Sequence, residues 1–134
     1  MLDSTEKKRI LVVEDEPLIS NLCIRVLSNE GLEVSVAVDG QAAEEMLDKN
    51  KYDLCLIDFR IPAVGGKELF QYISKKYPEL GDGVIFTSGD VIGGDTQNFI
   101  KETGRLFLPK PFSPEELRGI IREAYQLIGN TYKV

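Results

Sequence analysis

Leu54-Cys-Leu-Ile-Asp58-Phe-Arg-Ile-Pro62 decides the fold. Four apolar residues run into a carboxylate, and a turn ending on proline follows. A short apolar run bounded by turn residues reads as a strand buried on both faces of a parallel sheet. Three other stretches share the pattern: Ile10-Leu-Val-Val13 before Glu14 and Asp15, Val84-Ile-Phe86 before Thr87, and Leu106-Phe-Leu108 shortly before Lys110. In an open parallel sheet the ligand crevice lies outside the carboxyl ends of the strands. Glu14, Asp15, Asp58, Thr87 and Lys110 are therefore expected on one edge. Three carboxylates, a hydroxyl and an ammonium are what a phosphoryl group and a divalent cation need together.

Helical patterns alternate with the strands. Ile19, Leu22, Cys23, Val26 and Leu27 share one helix face, and Gly31 is placed to end that helix. The second strand, Glu33 to Val38, alternates Val34, Val36 and Val38 as an edge strand does. Asp39-Gly40 turns into a short helix with Ala43, Met46 and Leu47 inward. The third helix carries Leu69, Phe70, Ile73 and Tyr77 and stops at Pro78. Between Asp95 and Thr103 only Phe99 and Ile100 form an apolar stripe, so this is expected to be the weakest and most mobile helix. Ser113-Pro-Glu-Glu116 is a capping box with proline at the first helical position. Leu117, Ile120, Ile121, Ala124, Tyr125 and Ile128 continue from it as one buried face. The pattern fills residues 8–128 as one domain, with 1–7 and 129–134 expected as flexible tails.

At 134 residues and 43% hydrophobic the chain suits a single globular domain. No stretch reaches the roughly 20 apolar residues of a membrane helix, and the polar N-terminus lacks a signal-peptide core. The net charge of −6 argues against nonspecific nucleic-acid binding, which depends on Lys and Arg neutralising phosphates. Cys23 and Cys55 lie inside predicted elements, not at metal-ligand spacing, and are expected as buried thiols of a cytoplasmic protein. Histidine is absent, which excludes a Ser-His dyad, a His metal site or a phosphohistidine carried by this chain.

Each candidate residue has an ordinary alternative. Nucleotide-binding turns after a central strand are glycine-rich, so that N–H groups cradle phosphate. Glu14-Asp15 would instead repel an anion unless a hard cation, Mg²⁺ first, sits between them. Equally, Asp15 or Glu16 could cap the helix starting near Pro17. Asp58 could be a turn residue bonding its own backbone. A third carboxylate in the crevice needs a cation or lysine to offset it, and an aspartate there can also form an acyl phosphate. Thr87 could be a plain strand residue. Lys110, between Pro109 and Pro111, is held rigidly at a strand end.

In this order, Leu-Val-Val-Glu14-Asp15-Glu-Pro, Asp58-Phe-Arg-Ile-Pro62, Phe-Thr87-Ser-Gly and Lys110-Pro111-Phe resemble the receiver domains of two-component response regulators. The resemblance spans about Lys8 to Ile128. It implies an α/β, flavodoxin-like three-layer sandwich: a five-stranded parallel sheet in the order 2-1-3-4-5 with helices on both faces. It implies that Asp58 accepts the phosphoryl group and that Glu14, Asp15, Asp58 and the Arg60 carbonyl hold Mg²⁺. Thr87 and Lys110 would contact the phosphoryl group, Phe107 would be the switch aromatic, and Lys110-Pro111 would be cis. Glu14 stands where aspartate is commoner, and Val64-Gly65-Gly66 replaces the usual Asp-Gly turn, which is expected to loosen that loop. Arg60 and Gly89 occupy positions that tune phosphate lifetime in the family.

The implied partners are a sensor histidine kinase or a histidine phosphotransfer domain, with no nucleic acid or membrane contacted by this chain, as a monomer or weak dimer. The implied role is a phosphoacceptor that assists its own phosphorylation and dephosphorylation, not an enzyme on other substrates. Two alternatives are weighed. A haloacid-dehalogenase-like phosphatase needs a second aspartate where Arg60 stands, and a flavodoxin-like cofactor binder needs the phosphate loop that Glu14-Asp15 replaces. Only Gly129 to Val134 follow the last helix, so either a stand-alone regulator or the receiver of a hybrid histidine kinase is expected, the latter favoured by Thr87-Ser-Gly-Asp90 and Phe107-Leu-Pro-Lys-Pro-Phe-Ser113.

Overall fold

The apolar runs form the strands β1 (Arg9–Val13), β2 (Glu33–Ala37), β3 (Leu54–Asp58), β4 (Val84–Ser88) and β5 (Leu106–Pro109). The protein is seen in a computed structural model that describes residues 7–89 and 94–132, with side chains described through 129. The sheet is parallel throughout, in the order β2-β1-β3-β4-β5, as the resemblance implies. Every residue of β3 and β4 is buried, because helices cover both faces and a strand lies on each side. Around the sheet run α1 (Pro17–Asn29), α2 (Gly40–Lys49), α3 (Gly66–Lys76), α4 (Pro78–Gly81), α5 (Gly94–Thr103) and α6 (Pro114–Tyr132).

Strand periodicity of two divides the core into layers. Leu11, Val13, Cys55, Ile57 and Phe86 face α2, α3 and α5, packing on Ala43, Leu47, Leu69, Ile73 and Ile100. Ile10, Val12, Leu54, Leu56 and Ile85 face α1 and α6, packing on Cys23, Val26, Leu27, Leu117 and Ile121. Each such aliphatic side chain contributes about 1.5–3 kcal/mol on burial. Both sheet faces are thus used for packing, and chemistry is left to the strand ends.

The helix boundaries follow their local chemistry. Ser113 Oγ accepts from the Glu116 N–H at 3.0 Å and Glu116 Oε1 accepts from the Ser113 N–H at 2.8 Å, the expected capping box. Asp39 caps α2 by accepting from the Ala42 N–H at 2.8 Å. Gly31, with φ +89°, ends α1. α2 and α3 are clasped through Asp48 Oδ1, which accepts from Tyr72 Oη at 2.7 Å, Lys76 Nζ at 3.0 Å and the Tyr77 hydroxyl.

Several expectations are corrected. β2 stops at Ala37, leaving Val38 59% exposed, and Val34, Ser35 and Val36 are all half-buried, because the edge strand is partly covered on both faces. Tyr77 lies beyond α3 and turns to Asp48. Pro78 ends α3 but also starts the one-turn α4, since its missing N–H and fixed φ suit a first helical position. α6 continues through Gly129 to Tyr132 where a tail was expected; one interior glycine costs only about 1 kcal/mol. The rest of the expected tails, 1–6 and 133–134, lies outside the described residues, as does Asp90.

The loop after Asp58 packs closely against its neighbours through glycine. A Cβ on Gly66 would stand 2.7 Å from Phe59 Cα, and one on Gly40 would stand 2.1 Å from the Val64 carbonyl oxygen. The Gly40 N–H also donates to the Pro62 carbonyl at 3.2 Å. Glycine here permits close backbone packing, which holds the loop against α2 and α3.

Candidate functional site

β1, β3, β4 and β5 end on one edge of the sheet, and residues at and just past their ends form an acidic crevice. Glu14, directly after β1, is 2% exposed, and its backbone N–H still donates to the Ala37 carbonyl of β2 at 2.9 Å. Asp58 is the last residue of β3 and is 6% exposed. Oxygens of Glu14, Asp15 and Asp58 lie within 4.8 Å of one another. Asp15 is exposed and approaches from the solvent side.

Lys110 closes the crevice from β5. Its Nζ lies 2.8 Å from Glu14 Oε1, 3.0 Å from Asp58 Oδ2 and 3.2 Å from Glu16 Oε1. Burial acts to lower the Lys110 ammonium pKa, but the hydrogen bonds it donates to Glu14 and Asp58 outweigh this and hold the pKa above its ordinary value. Glu14 is pushed up by burial, with the Lys110 and Glu16 hydrogen bonds opposing. Lys110-Pro111 is cis, as the resemblance implies, and the Lys110 N–H donates to the Ser88 carbonyl at 3.0 Å.

Thr87 pairs in register with Asp58. Its hydroxyl is fully buried and has no hydrogen-bond partner among the described residues. An orphaned hydroxyl beside a carboxylate-lined crevice is a donor waiting for an acceptor. Three carboxylates with oxygen ligands suit a hard cation such as Mg²⁺, so the residues present fit that ion. Arg60 belongs to the same turn, its N–H donating to Asp58 Oδ1 at 3.1 Å, so Asp58 is a turn-capping residue as well as a crevice carboxylate.

Phe107 is the one candidate outside the crevice. It pairs with Phe86 across β4 and β5 and is half-buried against the layer under α2, α3 and α5. It lines a cavity of 320 Å³ with Gln97, Ile100, Lys101, Gly104 and Arg105.

Two features escape sequence reasoning. Glu16, weighed only as a helix cap, makes no side-chain cap bond and turns to Lys110. Phe59, Phe70, Phe86 and Phe99 form a ring cluster with centroids 5.4–6.3 Å apart, joining the residues next to Asp58 and Thr87 to α5. Their spacing in sequence carries no period, so only the tertiary fold reveals them.

The description "Response regulator receiver domain" fits residues 10–122. The chain is 33% identical over 117 residues to the transcriptional regulatory protein RprY of Bacteroides fragilis, a match covering 87% of this chain and 49% of RprY. It is 32% identical to the response regulator protein PilR of Pseudomonas aeruginosa, covering 90% of this chain and 27% of PilR. The chain thus spans half or less of these relatives. A CheY-like receiver domain protein from Methanospirillum hungatei superimposes with a TM-score of 0.85 at 25% identity, over 94% of this chain and 99% of that one. CheY4 of Vibrio cholerae shares the fold, with a TM-score of 0.79 at 22% identity, over 89% of this chain and 99% of its own. With the match running from β1 into α6, the chain belongs to the response regulator receiver domains.

Proposed function

We propose that Asp58 accepts a phosphoryl group from a phosphohistidine of a sensor histidine kinase or histidine phosphotransfer domain. An Asp58 carboxylate oxygen bonds to phosphorus as the phosphorus–nitrogen bond to the imidazole breaks. The bonding pair stays on the imidazole nitrogen, and the product is an acyl phosphate. The single observation that carries this reading is the Lys110 ammonium, 3.0 Å from Asp58 and 2.8 Å from Glu14. It stabilises charge on the equatorial phosphoryl oxygens, where most catalysis of phosphoryl transfer resides.

Glu14, Asp15, Asp58 and the Arg60 carbonyl would hold Mg²⁺. Bound there, the ion supplies positive charge that offsets the carboxylates and the incoming phosphoryl group. Thr87 Oγ donates to a phosphoryl oxygen and thereby gains the partner it lacks. Phe107 then turns inward, and the surface of α5, β5 and α6 changes. Hydrolysis of the acyl phosphate by water resets the domain, with Arg60 and Gly89 beside the group. The relatives' names support a regulator of transcription in the whole protein more than a hybrid histidine kinase, and a cytoplasmic setting fits both.

Incubation with a phosphorylated histidine phosphotransfer domain and Mg²⁺ tests the reading. Transfer of label to this chain is expected. Turnover of a generic phosphomonoester, or binding of flavin, with no transfer would overturn it in favour of a phosphatase or a cofactor binder.

A further inference from the structure

We infer that Glu16 is a positioning residue that restrains Lys110 and slows phosphorylation of the receiver; this rests on Asp58 being the phosphoacceptor. A lysine ammonium has three donors. Here three carboxylates share them: Glu14 at 2.8 Å, Asp58 at 3.0 Å and Glu16 at 3.2 Å. A phosphoryl group arriving on Asp58 needs at least one of those donors. Glu14 is 2% exposed at its side chain and Asp58 receives the group. Glu16 is 63% exposed and has neither role, so its bond is the one Lys110 gives up.

A second observation points the same way. Glu16 is the N-cap residue of α1, where a carboxylate ordinarily accepts from the first-turn N–H groups. Asp39 and Ser113 do so for α2 and α6, but α1 has no side-chain cap bond. The Glu16 carboxylate is committed to Lys110, 94 residues away in sequence. No proton or covalent bond changes hands: a phosphoryl oxygen replaces a carboxylate oxygen on one N–H of Lys110.

The test compares wild type, Glu16→Gln and Glu16→Asp with acetyl phosphate at saturating Mg²⁺. Both variants are expected to gain label about two- to fivefold faster, the factor an exposed ion pair supports. Glu16→Asp keeps the charge but is one methylene too short for Lys110, which separates a tether from general repulsion. Mg²⁺ affinity should stay unchanged, and the NMR signal of the Lys110 ammonium should shift in both variants. Unchanged rates, a gain confined to Glu16→Gln, or an unmoved Lys110 signal would overturn the inference while leaving the Asp58 reading intact. A tenfold loss of Mg²⁺ affinity would make Glu16 part of the metal site and overturn it also. Failure of the wild type itself to accept label would instead remove the Asp58 reading, and this inference with it.

Discussion

Lys110 and Asp58 are 52 residues apart in sequence, yet their side chains meet at 3.0 Å across the end of the intervening strand β4. Both are nearly buried, with 9% and 8% of their side chains exposed. A buried ion pair is a poor source of stability, because desolvation offsets much of the attraction. On the proposed reading, its value lies in placing a fixed positive charge where negative charge arrives. Gly89 lies against the lysine stem: a Cβ there would stand 3.4 Å from Lys110 Cβ, an ordinary van der Waals contact.

Magnesium should stabilise the fold through Glu14, Asp15 and Asp58. At a concentration one hundred times its dissociation constant it should add about 2.7 kcal/mol to unfolding, seen as a higher Tm that chelation reverses. Asp15→Ala should lose most of this gain. An equal rise in Tm in that variant would place the ion elsewhere.

Gly66→Ala should destabilise the domain by about 1–3 kcal/mol, since its Cβ would meet Phe59 Cα at 2.7 Å. Relief requires moving Phe59, and Asp58 moves with it. Urea denaturation and the phosphorylation rate should both report the damage; a variant with wild-type values in both would show the loop to be free to shift.

Asp48 supplies a pH dependence remote from the crevice. Hydrogen bonds from Tyr77, Tyr72 and Lys76 lower its pKa to about 2 from an ordinary 3.8. A depressed carboxylate stabilises the fold above its unfolded pKa, and that contribution is lost as pH falls through the folded value. The urea midpoint of the wild type should therefore drop between about pH 4 and 2, and Asp48→Asn should start lower and drop less. Parallel pH curves for the two proteins would remove the clasp from the account.

A phosphoryl mimic should alter amide exchange in the described part of 88–110, above all in α5 and β5. α5 buries only Ile100 fully, and Phe99 ties it to Phe59 and Phe86. Few buried anchors make a helix open at low cost. Changes confined to the residues around Asp58 would contradict a switch through Thr87 and Phe107.

The strand ends were legible because a parallel sheet buried on both faces writes its strands as apolar runs, leaving Glu14, Asp58 and Thr87 as the first polar residues past each run. The capping box at Ser113 and the turn at Asp39-Gly40 were legible because their chemistry is local. What escaped was long-range. Nothing near Glu16 signals a lysine 94 residues on. Nor does Val64-Gly65-Gly66 reveal that Gly66 must pass Phe59 and that Gly40 must pass Val64. Glycine reads as freedom in a sequence and as close approach in a fold.

The most direct measurement is to phosphorylate the wild type and Asp58→Asn side by side with acetyl phosphate and Mg²⁺, then locate the label by reducing the acyl phosphate with borohydride and sequencing the peptides by mass spectrometry. The account predicts one modified residue, Asp58, in the wild type and none in Asp58→Asn. Label on another residue of the wild type, or undiminished label in Asp58→Asn, would contradict it.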